Sequence, residues 1–337
     1  MKFLRRFKVK MMTVNYKFWK QLKKIMMYGS EKETRARWSN GNVAKTVGLF
    51  QQFNEYSNIQ EKFPILSLRN INYRAAIDEI LWIWQKRSNK LSDLNSKIWD
   101  EWEYKGTGTI GHSYGFILNK EYKGLSNKNP EIFGSKKFLN PVEYLFQQIA
   151  QNPNDRRIIV NMFDFNEIGN AGLPPCAYET LWSVEKGRLH MTLIQRSGDF
   201  FVAAGAGCWN EVQYAFLQCL VARCCGLEPG NFTHFVQDLH IYDRHLVDNR
   251  DIIDEWSFMT SHEYQDNFSR GGRPLKYNSK LNFVDFESPE LVFSEKITNK
   301  SGDLETAWKL FNEFKQTDYE ISNYSPEKTK LKLEVAI

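Results

Sequence analysis

Leu173 to Asp199 reads LPPCAYETLWSVEKGRLHMTLIQRSGD, and its two apolar runs decide the kind of fold. Thr180–Val184 and Leu189–Gln195 have strand composition, and Glu185-Lys186-Gly187 between them is turn chemistry, so the spacing predicts a β-hairpin. A further strand is expected over Arg157–Phe163. Helical periodicity marks Tyr73–Trp84, Val142–Gln151 and Asn210–Cys225 instead. Helices and strands thus mix without a regular βαβ rhythm, and the expected class is α+β. No internal repeat or low-complexity linker divides the 337 residues, so one domain is expected, although the length alone permits two.

The same stretch poses a chemical question. Cys176 stands behind a rigid proline pair with no histidine beside it. A thiol near its reference pKa of about 8.5 is only slightly ionised at neutral pH, so Cys176 is either inert core or activated by a group distant in sequence. The other cysteines, Cys208, Cys219, Cys224 and Cys225, fit no zinc-site spacing, and the last three lie in the apolar run QCLVARCCG. Buried free thiols in a reducing cytoplasm are expected, with no metal. No apolar run approaches the roughly 18 residues that span a bilayer. The net charge of +5 suits a small anionic substrate and is too weak to argue for nucleic acid.

Positive charge concentrates at the start, where Met1–Ser30 holds nine Lys and Arg and no Asp or Glu. Charges interrupt every apolar run there, which excludes a secretory signal. Val14–Met27 has helical periodicity, with Phe18, Leu22, Ile25 and Met26 on one face. It is expected to dock on the protein's own core; a membrane surface or an RNA contact is the other reading.

Arginines cluster in two places that suit a phosphomonoester. Asp155-Arg156-Arg157 precedes one strand, and Gln195-Arg196-Ser197 ends another. Guanidinium forks match phosphate oxygens, whereas taken singly each pair reads as a surface ion pair. In the apolar helix around Asp78-Glu79, Asp78 suits a solvated edge and Glu79 is the candidate functional carboxylate. Trp99 and Trp102 in IWDEW are either core or a stacking wall for a planar ligand. Gly106–Gly111 matches GxGxxG literally, but turn-like residues flank it on both sides, so no dinucleotide site is expected.

LPPC followed by a hairpin, then QRSGD, an Asn-led helix, GLEPGNF and DLHIY, resembles the thymidylate synthase family. Upstream, FPIL, DEILWIW, IWDEW, GTIGHSYG and NPNDRRIIV stand in that family's order, and the terminal LEVAI is similar to its apolar tail. The resemblance runs from about Tyr16 to Ile337. It implies a twisted mixed sheet with packed helices and a sheet-mediated homodimer. Residues 14–337 would form the catalytic domain, with 1–13 a basic extension. The implied reaction transfers and reduces one carbon from 5,10-methylenetetrahydrofolate onto carbon 5 of dUMP. Hydroxymethylation of dUMP by water attack is the alternative, and a non-catalytic RNA- or partner-binding relative stands third; neither nucleic acid nor membrane is required.

The resemblance also assigns residues. Cys176 would add to ring carbon 6, with Arg196 favouring its thiolate. Arg35, Arg196 and Ser197 would hold the phosphate, and Arg156 and Arg157 would reach it from the other subunit. Asn210 would read the uracil amide edge, His240 and Tyr242 the deoxyribose hydroxyl. Glu79 and Tyr114 would manage proton transfers at the ring. Asp199 would lie at the nucleotide and anchor the pterin; Trp99, Trp102 and Trp209 would line the folate side. Arg69 would meet the glutamate tail, and Ala336 and Ile337 would close over the ligands.

Three departures stand out. Ala177 replaces the histidine common after the nucleophile, a change shared with members that carry the run YET, here Tyr178–Thr180. Leu181 replaces a glutamine expected near the uracil. Before Asn210 the chain reads FFVAAGAGCWN, about three residues longer than usual, with Cys208-Trp209 replacing Pro-Phe; a register error of one would bring in Glu211. This Gly/Ala loop would admit water, whereas IWDEW and the terminal VAI favour a dry site and hydride transfer.

Overall fold

Amphipathic periodicity at the start becomes helix α1 (Val14–Tyr28), followed by strands β1 (Ser30–Arg37) and β2 (Val43–Tyr56). The computed structural model describes residues 14–258 and 288–336; the basic extension 1–13 and Ile337 lie outside the described residues. Phe18, Trp19, Leu22 and Ile25 are buried, so α1 docks on the core, but Met26 is half exposed. Its position just past the buried stripe turns it to solvent, correcting its expected place on the docking face.

Helix α2 (Tyr73–Trp84) begins at Asn72, whose side chain accepts from the Ala75 N–H. Short helices α3 (Gly115–Asn119) and α4 (Pro130–Phe133) follow, then α5 (Pro141–Gln151), which opens with a full Asn140/Glu143 capping box. Strand β3 covers only Ile159–Asn161, shorter than expected, because Asp155 turns the preceding chain by bonding Arg157. The hairpin is β4 (Ala177–Glu185) and β5 (Arg188–Gln195). Lys186 and Gly187 both have positive φ (50° and 75°), the pair of left-handed residues that a two-residue turn needs.

Strand β6 (Gly198–Asp199) leads into helix α6 (Trp209–Cys224), and β7 (Glu228–Tyr242) returns through the sheet. Helices α7 (Asp243–Asp248) and α8 (Arg250–Phe258), strand β8 (Glu290–Phe293), helix α9 (Leu304–Glu313) and strand β9 (Tyr319–Ser322) complete the described chain.

The main sheet runs β1-β2-β7-β5-β4-β3, with β6 also on β7. It is mixed: β5 and β6 run parallel to β7, while the other pairs are antiparallel. The central helix α6 is buried nearly all round, as a helix in the middle of a core must be. Cys208, Cys219, Cys224 and Cys225 are buried and every cysteine is free.

Cross-strand register separates the two sheet faces. The row Asn54–His234–Leu193–Thr180 is buried. The next row on the opposite face, Phe53–Phe235–Ile194–Glu179, is not, and Phe53 is 62% exposed. Leu181 lies on this second face, pairing with Thr192 and Ile159. Five residues along a strand from Cys176 is about 16 Å. Leu181 is therefore a residue of the sheet's outer face.

Candidate active site

The prolines of LPPC build the nucleophile's seat. Arg196 lies at the end of β5, and its N–H donates to the Cys176 carbonyl (2.9 Å), tying together the two strand ends. Its guanidinium donates from Nε to the Pro175 carbonyl (3.0 Å) and from an Nη to the Pro174 carbonyl (2.9 Å). The same Nη stands 3.4 Å from Cys176 Sγ. A flat five-donor fork can hold a turn and a thiol together, which an ammonium on a flexible stem would not do as rigidly. Burial pushes the Cys176 thiol up, while Arg196 and then Arg35 pull it down; without a ligand the net direction is upward.

Behind the thiol, the Tyr114 hydroxyl accepts from the Cys176 N–H (2.9 Å), and Ser113 Oγ donates to the Leu173 carbonyl (2.8 Å). Tyr114 holds φ +39°, a region costly for a bulky side chain, typically by about 1–3 kcal/mol. Gly111, three residues earlier, has φ +70°, and a Cβ there would meet the Asn170 carbonyl at 2.2 Å. The glycines of GTGTIG all have positive φ and serve tight turns, and the helix that follows, α3, is only five residues long.

Glu79 is buried on α2 with both carboxylate oxygens held by indoles. Trp99 Nε1 donates to Oε1 (2.9 Å) and Trp209 Nε1 to Oε2 (2.6 Å). Burial pushes this carboxyl up to about 7; bonds from Trp209, Trp99 and Gln213 resist, and Asp78 adds to the rise. Asp78 is itself buried and accepts from Asn95 N (3.2 Å) and Nδ2 (3.1 Å), so the solvated edge expected for it is corrected: it anchors the turn after α2. Trp99 meets Trp102 and Tyr114 edge-on, each at 5.5 Å between centroids. Trp209→Phe removes one donor from the ionised carboxylate and is expected to raise the Glu79 pKa by about one unit. The corresponding limb of the pH–rate profile should move up by that amount; an unmoved limb refutes the coupling.

Most of the lengthened segment before α6 is packed core, with Val202 left exposed. Phe200–Ala204 forms one π turn, closed by the Gly205 N–H to the Phe200 carbonyl (3.0 Å). Phe200, Phe201, Ala204, Ala206 and Cys208 are fully buried. Phe18 of α1 stacks on Phe200 at 4.5 Å, and Gln21 accepts from the Ala206 N–H (2.9 Å). Gly207 has φ +72°, and a Cβ there would meet the Leu66 amide nitrogen at 2.6 Å. Apolar side chains and α1 fill most of this loop, while Val202 stays exposed.

Asp199 starts this segment, accepting from the Phe201 and Val202 N–H groups. Its other oxygen lies 3.4 Å from His245 Nδ1, and His245 Nε2 is 2.8 Å from the Glu334 carbonyl. Burial pulls His245 down, but Asp199 and the Glu334 carbonyl outweigh it, so its pKa lies above the usual value. Asn249 pairs with both the carbonyl and the N–H of Lys332. Together these contacts lay the C-terminal segment, with half-buried Ala336, alongside α7. His245 and Asn249 escaped the sequence reading; only their place just after DLHIY marked them.

His240 and Tyr242 end β7, their rings edge to face at 5.2 Å. Burial, then Asp199 and Cys176, pushes the Tyr242 hydroxyl up to about 12. Asn210 opens α6, its Oδ1 accepting from Gln195 Nε2 (3.1 Å), while Glu211 turns into the interior. Ser197 follows Arg196, and its carbonyl accepts from Gln195 (2.9 Å). Arg35 is exposed on β1, its charge felt by Cys176. Arg69 turns to the Phe201 carbonyl and stands 3.7 Å from Cys208 Sγ. Arg156 and Arg157 lie apart on an exposed loop, where Arg157 pairs bidentately with Asp155.

Fold and site define an α+β enzyme class in which an arginine seats a cysteine and two indoles hold a buried carboxyl group whose pKa is raised. The thymidylate synthase family profile matches residues 16–337, and the chain belongs to that family of methyltransferases. Thymidylate synthase 1 of Bacillus spizizenii is 32% identical, over 94% of this chain and 96% of that protein. Thymidylate synthase of Streptococcus mutans is 30% identical, over 97% and 100%. The solved thermostable thymidylate synthase A from Bacillus subtilis superposes with TM-score 0.71 at 30% identity, covering 96% of this chain and all of that one. Among the described residues, no cluster of His, Cys, Asp or Glu is arranged to hold a metal ion, and no helix is long and apolar enough to cross a membrane.

Proposed function

We propose that the chain is a homodimeric thymidylate synthase that methylates dUMP through a Cys176–nucleotide adduct. The observation that carries this reading is the Arg196 guanidinium, bonded to both proline carbonyls and 3.4 Å from Cys176 Sγ. A phosphate bound by Arg196, Ser197 and Arg35 would bring the pyrimidine to a thiol that those same cations favour as thiolate. Cys176 Sγ bonds ring carbon 6, and the electron pair of the 5,6 double bond moves toward O4. Asn210 contacts the amide edge; His240 and Tyr242 take the sugar hydroxyl. Glu79, with a pKa of about 7, gives and takes protons at the ring near neutrality, and Tyr114 steadies the nucleophile's backbone. Cys176 leaves as thiolate when the adduct collapses.

The folate side fits the residues present. Trp99 and Trp102 offer an apolar indole wall, and the buried Arg69 Nε has no hydrogen-bond partner, a donor suited to an anionic ligand. Methylenetetrahydrofolate, when bound, supplies both the one-carbon unit and the reducing hydride. Trp99, Trp102 and Trp209 would flank it, with Asp199 at the pterin and Ala336 and Ile337 covering the site against water. The packed segment Phe200–Cys208 favours hydride transfer over hydroxymethylation.

A second copy would cover the outer sheet face, where Phe53, Phe235, Ile194 and Ile159 form an uncovered apolar surface. Arg156 and Arg157, exposed just before β3, would complete the partner's phosphate site. Residues 14–337 then act as one catalytic domain behind the basic extension 1–13, and the five free thiols suit the cytoplasm. Incubation with dUMP and methylenetetrahydrofolate should yield a methylated nucleotide and dihydrofolate by mass spectrometry. A hydroxymethylated product with tetrahydrofolate would replace this reading. A monomer in sedimentation would remove the shared site.

A further inference from the structure

Residues 162–176 join β3 to β4 and carry Cys176 at their far end, with one 3₁₀ turn, Ile168–Asn170, as regular structure. A connection this long keeps one shape only if it is tied along its length. The facing segment ties it at Asn170, Leu173 and Cys176 through the consecutive residues His112, Ser113 and Tyr114. The His112 N–H donates to the Asn170 carbonyl (2.9 Å), Ser113 Oγ to the Leu173 carbonyl (2.8 Å), and the Cys176 N–H to the Tyr114 hydroxyl (2.9 Å). The last of these sets where the nucleophile's backbone stands.

Tyr114 makes that bond from a left-handed backbone, φ +39°, which a bulky residue keeps only when its surroundings over-determine it. One carboxylate brackets it. Glu167 Oε2 lies 2.6 Å from His112 Nδ1, before Tyr114, and Oε1 accepts from Lys120 Nζ (2.6 Å), after it. Bonds from Lys120 and His112 hold the Glu167 carboxyl below its usual range, so it is an acceptor and His112 Nδ1 donates. Lys120 donates as well to Asp164 Oδ2 (3.0 Å), which also accepts from the Tyr122 hydroxyl (3.1 Å). The Asp164 and Glu167 side chains are only 12% and 16% exposed, so these charge-assisted bonds are largely shielded from water. Between the two anchors the His112 ring stacks on Phe116 of α3, with centroids 3.9 Å apart and planes within 2°.

We propose that Glu167 is a positioning residue for catalysis: by clamping His112 and Lys120 on either side of Tyr114, it keeps the strained tyrosine bonded to the Cys176 N–H and so sets the thiol's place for attack. Glu167, His112 and Lys120 act through Tyr114 and have no assigned contact with nucleotide or folate. The inference rests on the reading of Cys176 as the nucleophile.

Turnover of dUMP with methylenetetrahydrofolate by the full-length protein tests it, in a double-mutant cycle with Tyr114→Phe. Glu167→Ala alone should lower kcat about ten-fold or more and leave the dUMP Kd within about two-fold, because the proposed phosphate ligands Arg35, Arg196 and Ser197 lie on other elements. In the Tyr114→Phe background, where the hydroxyl is already gone, the same substitution should cost less than about two-fold. A merely structural role would multiply the two losses. Equal losses in both backgrounds therefore overturn the clamp, as does an unchanged kcat for Glu167→Ala alone. If Glu167→Ala does not fold, Lys120→Met removes one anchor, keeps the His112 bond and decides the question in the same cycle. Cys176→Ala separates the two readings. If that variant still turns over, the clamp falls together with the nucleophile; if it is inactive while Glu167→Ala matches the wild type, only the clamp falls.

Discussion

Cys176→Ala should abolish turnover, lowering kcat by about 10⁴-fold or more, while dUMP still binds. Covalent addition has no substitute nucleophile here, because the other four cysteines are buried within the core. The proposed phosphate ligands do not depend on the sulfur, and Arg196 keeps its bonds to the Pro174 and Pro175 carbonyls when the thiol is gone. Loss of activity should therefore come with a dUMP dissociation constant within about ten-fold of the wild type. A variant that still turns over at a tenth of the native rate would sink covalent catalysis by this residue. Binding lost in parallel with activity would show instead that the thiol shapes the seat.

Glu79→Gln should lower kcat by about 10²- to 10⁴-fold, the usual range for a general acid–base group, and should also change how stability depends on pH. Burial holds the carboxyl at about 7 in the folded protein, against about 4.5 when exposed. Below about pH 4.5 it is protonated in both states and contributes no pH dependence. Between about 4.5 and 7 the folded state retains a proton that the unfolded chain has released, so stability falls as pH rises. Above 7 the loss levels off at about 3 kcal/mol. Glutamine cannot ionise, so the difference in stability between wild type and variant should slope through this window and flatten on both sides. Parallel denaturation curves from pH 4 to 8 would refute the elevated pKa. The indole bonds from Trp99 and Trp209 limit the rise, and this connects the result to the shifted pH limb expected for Trp209→Phe.

Much of the scaffold was legible locally. Periodicity located α2 at its observed bounds and α5 and α6 to within a residue. Lys186-Gly187 marked the hairpin because a two-residue turn needs left-handed backbone at both positions. The two longest strands of the sheet, β2 and β7, were not legible in this way. In β2 and β7, polar residues such as Asn54 and His234 interrupt the apolar alternation, and they are tolerable only because Glu211 of α6 meets them from across the core. Asp78 read as solvated for the same reason: its partner, Asn95, lies in the turn beyond its own helix.

At the site, the sequence by itself determined which chemical groups were available: a lone thiol behind two prolines, paired arginines, a carboxylate in an apolar helix, and the spacing that resembles one family. Tertiary structure alone decided how they act on one another. It seated Arg196 against the Cys176 sulfur, closed two indoles on Glu79, moved Leu181 to the outer face and packed the long segment before Asn210 as core. Local periodicity reports which face of an element is apolar. Which donor meets which acceptor depends on distances between residues as remote as Asn54 and Glu211, and only the folded chain sets those distances.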